Sequence, residues 1–237
     1  MGFVLCCWLF LTSFSEHEVK ALVARLEARY RSARTLQATF LQRYTENGRQ
    51  VRVEAGIVYF RRPGKMRWEY NSPEKNLFLV DGKTAWFYVP ADRTVTRVPA
   101  KESTDWRTPL ALLAGEMKVS RVCDDVQLAD QEAPESPDDA MLYCGLRGTE
   151  SKEPSGRTTR ESGHAEAGEA VYFEIVRSSG NLVRVLVKNA GGIVIEFRFA
   201  NWQADPPVED SLFRFAVPPG VAIVNGELPS GQSPVKP

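Results

Sequence analysis

Val19, Leu22, Val23, Leu26 and Tyr30 recur at the spacing of one helical face, while Lys20, Arg25, Glu27, Arg29 and Arg31 fill the other. This periodicity predicts an amphipathic helix over roughly residues 16–33, with an apolar stripe that has to cover something. Ser15 and Glu18 have the spacing of a capping box at its start. From Leu36 the period falls to two: Leu36, Ala38 and Phe40 alternate with Gln37 and Thr39. Asn47-Gly48 is a hairpin signal, and the residues from Val51 to Phe60 alternate beyond it. Turns at Pro63-Gly64, Asp81-Gly82 and Pro90-Ala91-Asp92 separate further short runs: Met66–Tyr70, Leu77–Val80, Ala85–Val89 and Thr94–Val98. Strands joined by tight turns predict an antiparallel meander rather than βαβ units.

One helical interruption is expected. Thr108 and Pro109 suit an N-cap and first helical position, Leu110 to Ala114 are wholly apolar, and Gly115 stands where a C-cap glycine belongs. A helix apolar on all sides has to be buried. Strands are then expected at Met117–Cys123, near Val126–Ala129 and at Met141–Leu146. They resume at Val171–Val176, Leu182–Lys188 and Ile193–Ala200. Residues 147–170 are polar without apolar periodicity and read as a flexible insert; residues 226–237 read as a disordered tail. The expected architecture is mainly β: one domain over residues 16–225, a single large antiparallel sheet that can curl and whose concave face the helices can plug. Large residues placed on the inner face by alternation are Phe40, Ile57, Tyr59, Met66, Trp68, Phe78, Trp86 and Tyr88. They serve either as plain core or as the lining of a ligand cavity.

Residues 1–11 are almost entirely apolar, too short to span a bilayer and similar to the core of a secretory signal peptide. Cleavage after Ser15 fits the small residues at Ser13 and Ser15, although no Lys or Arg precedes Phe3; a buried N-terminal helix is the other reading. Export to an oxidising compartment would make the remaining cysteines, Cys123 and Cys144, a candidate disulfide; two reduced buried cysteines are the alternative.

Composition narrows function mainly by exclusion. The chain has 237 residues, 43% of them hydrophobic, enough for a sizeable core. Thirty basic residues balance thirty acidic ones, which argues against nucleic acid as a partner. His17 and His164 are the two histidines, too far apart in sequence to suggest a metal site or a triad. Gly82-Lys83-Thr84 is not a phosphate loop, because the earlier glycine is replaced by Leu77. No catalytic residue, metal ligand or cofactor is expected, and the protein is read as a non-enzyme.

Four segments resemble a known family in the right order. Gly56–Tyr70 and Asn76–Pro90 look like the signature hairpins of the periplasmic lipoprotein carrier family LolA. Thr108–Ala114 resembles its internal lid helix, and Leu212–Val221 its C-terminal motif. The resemblance runs from about Glu18 to Val224 and implies an unclosed barrel with an apolar cavity and a helical lid. It implies a periplasmic carrier that accepts triacylated lipoproteins from an inner-membrane ABC transporter and gives them to an outer-membrane acceptor. A monomer is expected. Arg62 falls on the family's gating arginine, with Leu110 and Leu113 in the lid; Trp68 falls on a cavity aromatic and Met66 on a Phe position. Ala111 is small for a lid position, and the insert at 147–170 departs from the family's short connection. A carrier of another lipid, such as a glycolipid or hopanoid, and a lipid-sensing regulatory module are the alternatives on the same fold.

Overall fold

The computed structural model describes residues 8–102, 110–115, 117–146, 170–189 and 191–225, with residues 8–15 through their backbone alone. Helix α1 (Trp8–Arg31) leads into β1 (Thr35–Glu46), β2 (Arg49–Arg61), β3 (Lys65–Ser72), β4 (Asn76–Val80), β5 (Thr84–Val89) and β6 (Thr94–Pro99). After the short α2 (Ala111–Ala114) come β7 (Cys123–Leu128), β8 (Asp139–Leu146), β9 (Ala170–Val176), β10 (Leu182–Lys188), β11 (Ile193–Ala204) and β12 (Ala222–Asn225). All twelve strands form one sheet in the order β12-β6-β5-β4-β3-β2-β1-β11-β10-β9-β8-β7, so it has two free edges and does not close. Mainly β with an unclosed sheet is the expected class.

Several boundaries differ from expectation. Helix α1 starts at Trp8 rather than near residue 16, running through Ser13-Phe14-Ser15. The stretch expected as a strand from Met117 holds a 3-10 turn, Val119–Arg121, before β7 begins at Cys123. Helix α2 is one turn long, and Thr108 and Pro109, its expected start, lie outside the described residues, as do 147–169 and 226–237. Strand β12 pairs with β6 in parallel, because the chain crosses the sheet before reaching that edge, while the other strand pairs are antiparallel.

The β1–β2 turn shows how local chemistry fixes register. Asn47 and Gly48 both have positive φ, 49° and 77°, as a two-residue hairpin that follows strand twist requires. Cross-strand partners then share a face. One row runs Leu36, Phe60, Met66, Val80, Ala85; the next runs Ala38, Val58, Trp68, Phe78, Phe87. From the other half Phe173, Val185, Phe197 and Phe199 join them. This concave face is the core, and α1 presses Val19, Leu22, Leu26 and Tyr30 into it, each at most 8% exposed. The convex face is covered too. Phe213 (0% exposed) stacks under the Arg61 guanidinium, 5.4 Å from the ring centroid, and Phe215 lies 5.3 Å from Trp86 and 5.6 Å from Tyr88.

Cys123 and Cys144 are joined by a disulfide between β7 and β8, with Cα atoms 5.3 Å apart. It staples an edge strand to its neighbour.

Candidate functional site

The concave face holds an aromatic cluster centred on Trp68. Phe40 lies 4.8 Å from it, Phe197 5.3 Å, Phe60 5.8 Å and Phe199 6.2 Å, centroid to centroid, all in tilted or edge contacts. Such geometries are the favoured ones for rings with opposed face and edge charge. Trp68, Phe60, Phe78 and Phe197 are each at most 2% exposed. These rings pack against one another in the core between sheet and helices. Leu110 and Leu113, expected in the lid, are buried in the same cluster, while Ala111 is half-buried.

Alternation placed Phe40, Met66, Trp68 and Phe78 on this face, and the structure brings the four together. Ile57, Tyr59, Trp86 and Tyr88 point the other way, a correction to the expected lining. Ile57 and Tyr59 share their face with Glu69 and Arg67, their partners on β3, and burial together with the Glu69 charge pushes the Tyr59 phenol up. Trp86 and Tyr88 lie beneath Phe215. Val58, Phe60 and Phe87 take their places inside. The reason is that both faces of β2 and β5 are apolar, since the C-terminal segment covers the outer one. Period two then says that a strand is present without saying which face is inner.

The rim is organised by the turn between β2 and β3. The last carbonyls of any helix lack internal partners, and the helix dipole puts negative charge there. At the end of α1 the Arg62 guanidinium meets this need. Nη1 donates to the carbonyls of Arg31 (2.5 Å) and Ala33 (2.6 Å), and Nη2 to that of Tyr30 (2.9 Å). Asp205 serves the opposite polarity at the same junction, accepting from the N–H groups of Arg34 (2.7 Å) and Thr35 (3.0 Å). Burial pulls the Arg62 guanidinium down from its ordinary value, and the Asp205 charge opposes that. Two residues on, the Gly64 N–H donates to the carbonyl of Ala114 at 2.8 Å, closing the end of α2. One turn thus fastens both helices. Arg61 leaves on the other side, to Asp210 at 2.7 Å.

Three further contacts hold α1, and periodicity gives no sign of them. The Glu27 carboxylate accepts the Val119 N–H at 2.9 Å, tying α1 to the segment after α2. The Leu182 N–H donates to the Tyr30 hydroxyl at 2.9 Å, and burial pushes that phenol up to about 12, against the lowering effects of this bond and of Arg29. Gly180 lets α1 lie close: a Cβ there would stand 2.6 Å from the Arg25 carbonyl, and its φ of 72° disfavours side chains besides. Glu27 had one legible signal, as the acidic residue among the cations of α1 from Lys20 to Arg31.

Among the described residues no three His, Cys, Asp or Glu side chains gather as metal ligands, and no helix is long and apolar enough to cross a membrane. Together, the unclosed sheet, its apolar concave face and the helices fastened over it define a half-barrel with a helical cover. The family described as "Outer membrane lipoprotein carrier protein LolA" matches residues 31–135. An "Outer-membrane lipoprotein carrier protein" of Methylococcus capsulatus (strain Bath) is 30% identical over 222 residues, covering 92% of this chain and 93% of that one. One of Nitrosospira multiformis is 26% identical over 223 residues, covering 93% and 96%. The chain belongs to the LolA family of outer-membrane lipoprotein carriers. Among solved structures, an uncharacterized conserved protein from Thermus thermophilus aligns with a TM-score of 0.50 at 15% identity, covering 87% of this chain and 98% of that one; the likeness is one of fold.

Proposed function

We propose that this protein is a periplasmic carrier that shields the acyl chains of lipoproteins against its concave face and moves them from the inner to the outer membrane. An ABC transporter of the inner membrane supplies the cargo, and an outer-membrane acceptor receives it. Residues 1–15 act as the export signal. The Cys123–Cys144 disulfide supports an oxidising compartment.

The observation that carries this reading is the apolar concave face under two helices that share polar fastenings at the β2–β3 turn. Burying a CH₂ group stabilises by ~0.8 kcal/mol, so a 16-carbon chain is worth roughly 12 kcal/mol, gross. A soluble carrier has to offset most of that by shielding the chain, yet still release it. The aromatic and aliphatic side chains of the concave face are buried beneath α1 and α2, so cargo reaches them by displacing one or both helices. The packing energy given up in opening then opposes binding, and the cover closes again as the chains leave. Arg62 fits a releasable fastening, since a guanidinium satisfies several carbonyls at once and water can replace it.

The test is direct transfer. Vesicles carrying a radiolabelled triacylated lipopeptide are mixed with the purified protein and then removed by sedimentation. Lipopeptide should appear in the supernatant in proportion to protein added. Lipopeptide that stays wholly with the vesicles contradicts the proposal.

A further inference from the structure

Helix α1 covers the interior with one face and shows the other to water. Between Lys20 and Arg34 the chain carries Lys20, Arg25, Arg29, Arg31 and Arg34 against Glu27 alone, within a molecule whose total charge is zero. All five cations are exposed. Lys20 is bonded to Glu16 and Arg31 to Glu27, and the nearby Arg177 to Glu18, so those charges are locally balanced. The remaining three are not. Arg25 donates to the Arg177 carbonyl at 2.9 Å and Arg29 to the Asn181 side-chain oxygen at 2.6 Å, neutral acceptors that hold a guanidinium without cancelling its charge. The Arg34 guanidinium has no ion pair among the described residues; Asp205 accepts its backbone N–H instead.

We infer that this face of α1 rests on anionic phospholipid headgroups, bringing the covered opening of the half-barrel against the bilayer. Two features favour a lipid surface over an acidic protein. Between the cations the helix exposes only Ala24, Ala28 and, just past its end, Ser32, and nothing there could serve as the large buried anchor of a specific protein interface. Arg25 and Arg29 are also tied to neighbours within the chain, which suits a diffuse negative field better than a forked contact with one carboxylate. Arg25 and Arg29 stand one turn apart, about 6 Å along the helix, so they form a row on its flank rather than lining a pocket. Attraction of this kind is weak and reversible, as a shuttling protein needs. It involves no cargo, so its failure would leave the carrier reading of the interior untouched.

The test is flotation of the full chain with vesicles of phosphatidylglycerol and phosphatidylethanolamine, and with vesicles of phosphatidylcholine, at low and high salt. The comparison protein carries Arg25→Gln, Arg29→Gln and Arg34→Gln together; a second carries Lys at the same three positions. Residues 1–15 are common to all three proteins and add equally to each. Each juxtamembrane cation is worth about a fivefold change in partition, so the Gln protein should bind anionic vesicles on the order of 100-fold less than the parent. The Lys protein should stay close to the parent, and high salt should abolish the difference. Equal binding by the parent and Gln proteins, or by anionic and neutral vesicles, overturns the inference. So does salt-sensitive, Arg-dependent binding that needs membrane protein in the vesicles, which would assign the face to an acidic protein partner.

Discussion

Replacing Arg62 with Leu removes three hydrogen bonds from the carbonyls of Tyr30, Arg31 and Ala33 and leaves the end of α1 to water. Bonds from a charged donor contribute more than neutral ones, and partial exposure discounts them, so the expected loss of stability is roughly 2 kcal/mol. Urea unfolding of Arg62→Leu and Arg62→Lys measures it. Lys keeps the charge without the fork and should recover less than half of the loss; a Leu variant as stable as the parent removes Arg62 from the fastening. Tyr30 allows a test by pH. Its folded-state value of about 12 lies above the ordinary phenol value near 10, so the folded state holds its proton more tightly. The associated stability is fully present below about pH 10 and is lost as pH rises through about 12, by up to roughly 3 kcal/mol. Tyr30→Phe should be less stable at neutral pH by about 1–3 kcal/mol, because the Leu182 N–H loses its acceptor. It should also lose less stability than the parent between about pH 9 and about pH 11; parallel declines would contradict the assignment.

At the scale of elements, α1 and the segment after α2 are joined by Glu27 as well as through the β2–β3 turn. Glu27→Ala should cost about 1 kcal/mol and speed hydrogen exchange at the Val119 amide, while Glu27→Gln, which retains an acceptor oxygen, should restore most of the protection. Unchanged exchange in the Ala variant would show that the two helices open independently. How far elements could be read from sequence follows from how many of their faces are apolar. The inner residues of β1 were legible because Leu36, Ala38 and Phe40 alternate with polar Gln37 and Thr39. In β2, Ile57, Val58, Tyr59 and Phe60 are all apolar, so alternation could not show that Val58 and Phe60 face inward. The same ambiguity misplaced Trp86 and Tyr88 in β5. Glu27 and Tyr30 act through partners 92 and 152 residues away, and Gly180 makes room for a helix from the other end of the chain, which no local pattern encodes.

For the whole molecule, the order of elements and the unclosed sheet follow from the turn signals and strand lengths, whereas the use of each face depends on where the C-terminal segment returns. By crossing the convex side it buries Phe213 and turns the outer residues of β2 and β5 into a second apolar layer. Among the described residues α1 and α2 cover the concave layer, and the proposal is that acyl chains lie there once these helices move aside. A triacylated lipopeptide with a photoactivatable group near the end of one acyl chain tests this most directly, with crosslinked residues mapped by mass spectrometry after illumination of the complex. Crosslinks should fall on Phe40, Val58, Phe60, Trp68 and Phe78; crosslinks confined to Ile57, Tyr59, Trp86 and Tyr88, or absent altogether, would contradict it.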